Sequence, residues 1–219
     1  MRFSFALRAG VFVAALSLSA QEQTPPPAEV KGIPARATPA DYQAHAEAGS
    51  VTIAAEFKGH TIPTKDGLLT TEEYIVVEAA LFGPGGARTN ISIDDFSLRI
   101  NGKKTPLPSQ SGVLVFKSVK DPEWEPPVKA EKAGKTSIGG SGKGGQEPGA
   151  LPPVVHVPIE LQRAWSQRVQ KASLAEGDRA LPQAGLIFFK YGGKTKSLAS
   201  IELIYSGAGG KATLALETE

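Results

Sequence analysis

Over residues 51–58 the chain alternates, with Val51, Ile53, Ala55 and Phe57 pointing one way and Thr52, Glu56 and Lys58 the other. Successive side chains of a strand face opposite sides, so this spacing predicts a half-buried strand. Residues 73–82 repeat it, with Ile75, Val77, Ala79 and Leu81 on one face; opposite them stand Tyr74 and Glu78 with the less polar Val76 and Ala80. Phe82-Gly83-Pro84-Gly85-Gly86 is a turn, followed by two short strand pieces, 90–93 and 96–100. They are interrupted at Asp94-Asp95, and Phe96, Leu98 and Ile100 face inward. Asn101-Gly102 is a hairpin signal leading into a strand over 103–107, and 112–119 supplies another through Val113, Val115 and Phe116. Three more strands, 185–191, 198–205 and 212–217, are separated by Gly192-Gly193 and by the glycine-rich stretch 207–210.

The period changes in two places. Leu161, Trp165, Val169 and Ala172 recur at helical spacing opposite Arg163, Ser166, Gln167 and Gln170, which predicts an amphipathic helix from about 158 to 175 with Trp165 against the sheet. Thr38-Pro39-Ala40-Asp41 offers a hydroxyl cap, a first-turn proline and a first-turn carboxylate. A short helix is therefore expected to about Glu47, stopped by Gly49. Before it, 21–37 holds Pro25, Pro26, Pro27 and Pro34 among small and polar residues and reads as a tether. From 129 to 150 the only large apolar side chain is Ile138, so an insertion at about 128–152 is expected to be a disordered Lys/Gly-rich loop.

About seven short strands, tight turns and a single late helix predict a mainly β protein, an immunoglobulin-like antiparallel β-sandwich over residues 51–219. The pieces Thr71-Glu72-Glu73-Tyr74-Ile75-Val76-Val77-Glu78, Asp95-Phe96-Ser97-Leu98-Arg99, Gly185-Leu186-Ile187-Phe188-Phe189 and Ser200-Ile201-Glu202-Leu203-Ile204-Tyr205 resemble uncharacterised secreted bacterial proteins with an immunoglobulin-like sandwich. The resemblance spans roughly 51–216 apart from the Lys/Gly-rich loop. It implies a fold and an export route, and brings no catalytic residues with it.

Export is also readable at the start of the chain. Residues 1–20 carry Arg2 and Arg8, an apolar run over 9–16, then Ser17, Ser19 and Ala20, the layout of a secretory signal peptide cleaved after Ser19 or Ala20. The run is well short of the ~18 to 20 residues a spanning helix needs, so no transmembrane anchor is expected in the mature chain. A periplasmic or extracellular protein follows. Twenty-four basic stand against 22 acidic side chains, and removal of Arg2 and Arg8 with the leader leaves 22 against 22. A neutral chain lacks the broad positive field of a nucleic-acid binder. With no cysteine there is no disulfide, thiol nucleophile or thiolate metal site, so stability must come from packing alone.

The search for chemistry is mostly negative. Gly134-Lys135-Thr136, Gly142-Lys143-Gly144 and Gly193-Lys194-Thr195 look like phosphate loops, but where the motif needs its earlier glycine stand Lys129, Ser137 and Phe188. Gly139-Gly140-Ser141-Gly142 begins like a nucleophile elbow, yet Lys143 replaces the closing glycine. His45, His60 and His156 form no metal-binding spacing. Asp94 with Asp95, and Asp121 with Glu123, have the oxygens for Ca²⁺ but read as turn caps. Asn90-Ile91-Ser92 matches a glycosylation sequon of little weight in a chain resembling bacterial proteins. No cofactor is expected.

Two features exceed housekeeping. Lys129, Lys132, Lys135 and Lys143 make a local cation suited to an anionic envelope polymer, and Trp124, between Glu123 and Glu125, is a candidate contact for a protein or sugar. The leading expectation is an exported, non-enzymatic module that binds a protein or envelope component. Its rivals are a hydrolase whose site assembles only in three dimensions, and a structural envelope protein without a specific ligand.

Overall fold

The computed structural model describes residues 31–125 and 157–218. The expected signal peptide, most of the tether and the whole of the Lys/Gly-rich loop expected at about 128–152, with all four of its lysines, lie outside the described residues.

In chain order the strands begin with β1 (Ala44–Ala48), β2 (Val51–Phe57), β3 (Thr61–Thr64), β4 (Gly67–Thr71), β5 (Tyr74–Phe82), β6 (Arg88–Ile91), β7 (Phe96–Ile100) and β8 (Leu107–Gln110). Helix α1 (Gly112–Val115), β9 (Val119–Lys120), α2 (Ile159–Ala172), β10 (Gly177–Ala180), β11 (Gln183–Lys190), β12 (Ile201–Gly207) and β13 (Gly210–Leu216) follow. Eight of the strands form one sheet in the order β1-β2-β5-β11-β8-β7-β12-β13, with every pairing antiparallel. Two ribbons, β10-β6 and β3-β4-β9, stand apart from it.

The expectation of a sandwich holds in its coarser part: the chain is mainly β and antiparallel. The finer arrangement differs, because one sheet rolls until its first and last strands meet and almost close a barrel. Ser50 N donates to Gly209 O at 3.0 Å across this seam, and Gln43 Nε2 to Glu217 O at 2.9 Å. Ala44, Ala46 and Ala48 on one side and Ala212 on the other are small enough to let the two edges come together. Alternation reports which side chains face a dry interior, and a sandwich and a rolled sheet satisfy it equally.

The interior contains Ile53, Val77, Leu81, Leu98, Phe189 and Leu203, all fully buried. Phe96 and Tyr205 lie ring to ring at 5.0 Å. The alternation predicted over 51–57, 73–82 and 96–100 is met: Ile75, Val77, Ala79 and Leu81 line one face of β5, and Phe96, Leu98 and Ile100 point inward. Strands β5 and β11 are dry on both faces. Tyr74, Val76, Leu186 and Phe188 on their outer face meet Trp165, Val169 and Ala172 of α2, as the helical spacing predicted for Trp165. Farther along, Ala54, Ala80 and Ala184 stand in register on β2, β5 and β11 and form a flat shelf. Onto this shelf pack Ile33, Ala35 and Tyr42 of the segment 31–42, here called the strap.

Four expectations are corrected. The helix expected up to Glu47 is one 3-10 turn, Pro39–Asp41, followed by β1. Its start signal is sound, since the Asp41 carboxylate accepts from Thr38 N at 2.7 Å, but the alanines beyond it are needed at the seam. The strand expected over 112–119 is α1 followed by a 3-10 turn, Phe116–Ser118. Ser111 Oγ caps α1 by accepting from Val113 N at 3.3 Å; Val115 is buried, whereas Val113 and Phe116 are exposed. The tether, from residue 31 onward, is docked: Gly32 N donates to Lys171 O at 2.8 Å and Ile33 N to Ala184 O at 3.1 Å. The Asn101-Gly102 turn is present, with both residues at positive φ, but its strand begins at Leu107.

Candidate functional site: a cationic groove beside the strap

A cavity of about 780 Å³ lies on the outside of the barrel. The strap supplies one wall through Lys31, Ile33, Pro34 and Ala35. The β3-β4 turn contributes Pro63, Thr64, Lys65 and Asp66; α2 adds Arg168, Lys171 and Ala172; and the start of β11 adds Pro182, Gln183 and Ala184. Four distant stretches of sequence thus converge because the strap and α2 cover adjoining parts of the same sheet face.

The floor is apolar and the charge sits around it. Lys31, Lys65, Arg168 and Lys171 face a single lining carboxylate, Asp66. Arg168 is fixed, its Nε donating to Thr64 Oγ1 at 3.2 Å and its Nη1 to Asp121 Oδ2 at 3.3 Å. Lys31 and Lys65 are exposed and form no ion pair among the described residues. The groove therefore offers mobile positive charge at the edge of a dry surface, an arrangement that attracts anions.

The other end of the strap is held by a charge cluster. Glu56 and Glu78 are directly opposite each other on β2 and β5, which alone would repel. Arg36 bonds to both carboxylates, and Lys58 also bridges them, lying 3.2 Å from Glu78 Oε2. The guanidinium also stacks 4.4 Å over the Tyr42 ring. Burial pushes the Glu56 carboxyl up, but hydrogen bonds from Lys58 and Arg36 outweigh it and leave it below its ordinary value. A second hollow of about 580 Å³ touches Glu56, Lys58, Asp41 and Glu217. Ionised and engaged by two cations, Glu56 is placed there to clamp the strap rather than to exchange protons.

Comparison with known proteins gives no match to any family model, curated protein or solved structure. The site has to be read from its own chemistry.

Of the sequence candidates, Trp124 is half-buried against the outer core, edge-on to Trp165 at 6.2 Å, and does not line the groove. Lys129, Lys132, Lys135 and Lys143 lie outside the described residues. Of the acidic pairs, Asp121 caps a turn, its Oδ1 accepting from Glu123 N at 3.0 Å, whereas Asp94 and Asp95 stand in a turn that Ser92 caps, its Oγ accepting from Asp94 N at 3.2 Å. Burial, together with the neighbouring Asp94 charge, pushes the Asp95 carboxyl up. His60 presents Nδ1 to Tyr74 O at 2.7 Å and Nε2 to Gly193 O at 3.1 Å, tying the turn before β3 to the start of β5 and to the loop after β11. No helix among the described residues is long and apolar enough to cross a membrane. Sequence reasoning missed the groove residues. Lys31 to Ala35 looked like tether, and Asp66-Gly67, a turn dipeptide joining β3 and β4, was the one local signal available.

Proposed function

We propose that this chain is an exported, non-enzymatic binding module that engages an anionic component of the cell envelope in the groove between the strap and α2. The observation that carries the reading is an apolar floor of ligand size bordered by Lys31, Lys65, Lys171 and Arg168, the last already paired with Asp121, against one lining carboxylate, Asp66. On a chain whose charges cancel as a whole once the leader is removed, that local excess is a binding feature rather than a general property of the surface. Export is supported by Arg2, Arg8, the apolar run 9–16 and the small residues after it.

Co-sedimentation with envelope fragments at low and high salt tests the binding. The Lys31→Glu/Lys65→Glu double variant is expected to bind about tenfold less at low salt, a difference that fades as the Debye length falls towards ~3 Å. Equal retention of variant and parent removes the reading. Export is tested separately, by sequencing the N-terminus of the protein recovered from the periplasm or medium. A start immediately after Ser19 or Ala20 is expected, and an intact chain retained in the cytoplasm overturns it.

A further inference from the structure

The donors that the strap, Thr64, Gln183 and Arg168 bring to the groove are already engaged, and this restricts the kind of ligand it can hold. The strap amides Gly32 N and Ile33 N donate to Lys171 O and Ala184 O. Pro34, Pro63 and Pro182, which stand on three different walls, have no N–H at all. Thr64 Oγ1 donates to Gly67 O at 2.7 Å and accepts from Arg168, while Gln183 Nε2 donates to Ala184 O at 3.3 Å. Arg168 is shared between Thr64 and Asp121. A sugar polymer or an extended peptide requires a series of directional partners, and these donors are committed to the protein's own carbonyls and side chains. What it offers is apolar area plus the ammonium groups of Lys31 and Lys65, which act as point charges without a preferred head-group geometry.

Resting on the binding reading above, we infer that the groove takes a monomeric anionic amphiphile: one apolar chain carrying a single carboxylate or comparable anionic head. The body lies along Ile33, Pro34, Ala35, Pro63 and Pro182, the apolar lining residues that keep accessible surface, and the head meets Lys31 and Lys65 at the edge. A cavity of about 780 Å³ is within the range that encloses a ligand of this size.

The test uses the mature full-length protein and displacement of 1-anilinonaphthalene-8-sulfonate by decanoate below its micellar concentration. Decan-1-ol, inorganic phosphate and anionic phospholipid vesicles serve as the other arms. Decanoate is expected to bind with a Kd on the order of 10–100 µM, and decan-1-ol about tenfold more weakly. Lys31→Glu/Lys65→Glu should remove the advantage of decanoate over the alcohol. Pro34→Trp, a change at an exposed wall residue that leaves the core untouched, should weaken both. Equal affinity for acid and alcohol, or indifference to Pro34→Trp, overturns the inference. So does capture by vesicles without binding of free decanoate. If phosphate competes as well as decanoate, or if envelope fragments bind and decanoate does not, the amphiphile is wrong while the anion-binding reading stands. If nothing anionic binds, both fall.

Discussion

The two faces of β5 and β11 are equally dry but are made dry in different ways. Towards the barrel axis, eight strands contribute aliphatic and aromatic side chains to one continuous packing. Towards the outside, the same strands are covered by unlike pieces: α2 and the β3-β4 ribbon over one part, the strap over the other, with a charge cluster at the strap's end. The interior has no alternative to its packing, whereas the cover is assembled from segments, each with its own attachment. A groove can exist on the outside because two covers meet there without merging.

The largest effect should come from the interior. Phe189→Ala removes a fully buried ring from the barrel, and a loss of about 3–5 kcal/mol is expected from the transfer and cavity terms together. Chemical denaturation checks this through a lower midpoint at unchanged slope. A loss below about 1 kcal/mol would mean that the interior is not the principal core.

That contrast also decides what was legible in the sequence. Alternation is a local signal, so β2, β5, β7 and the final strands were readable, and the helical stripe through Trp165 and Val169 identified the inner face of α2. The rest depends on what lies opposite. Val113 to Phe116 carries a strand-like composition, yet Ser111 caps it as a helical turn and Val115 alone is needed inside. Gly185 read as a strand residue; its lack of a side chain matters because a Cβ there would collide with the backbone of Leu174, which closes over β11. The groove was the least legible part. Its residues come from four segments, and no one of them carries a motif.

An intermediate effect is expected at the strap. Glu78→Ala leaves Arg36 and Lys58 without their most buried partner, at a cost of about 2–4 kcal/mol, less than for a fully buried pair because both cations keep some contact with water. Hydrogen exchange should rise first at the amides of Gly32 and Ile33, which anchor the strap. Acid should act in the same place. The folded Glu56 carboxyl lies below its ordinary value of 4.5, so its stabilisation is fully present above that value. It is lost as pH falls below 4.5 and through the depressed folded value. Strap exchange should therefore accelerate on acidification from that point, and Glu56→Gln should flatten the response. Uniform acceleration across strap and barrel would show that cover and interior open as one unit.

The smallest effect sharpens the comparison most. Trp165 Nε1 is the only buried side-chain polar atom among the described residues without a hydrogen-bond partner. An orphaned buried donor costs on the order of 1–3 kcal/mol, so Trp165→Phe gives up some apolar contact while removing that penalty. The net change should stay within about 1 kcal/mol, far from the loss expected at Phe189, although both rings are buried. The phenyl ring keeps an edge contact for Trp124, which then becomes the chain's only tryptophan. Its fluorescence reports on the outer cover, and circular dichroism reports on the sheet. If the two transitions separate under denaturant, the covers detach before the barrel opens; if they coincide, the outer packing belongs to the same cooperative unit as the interior.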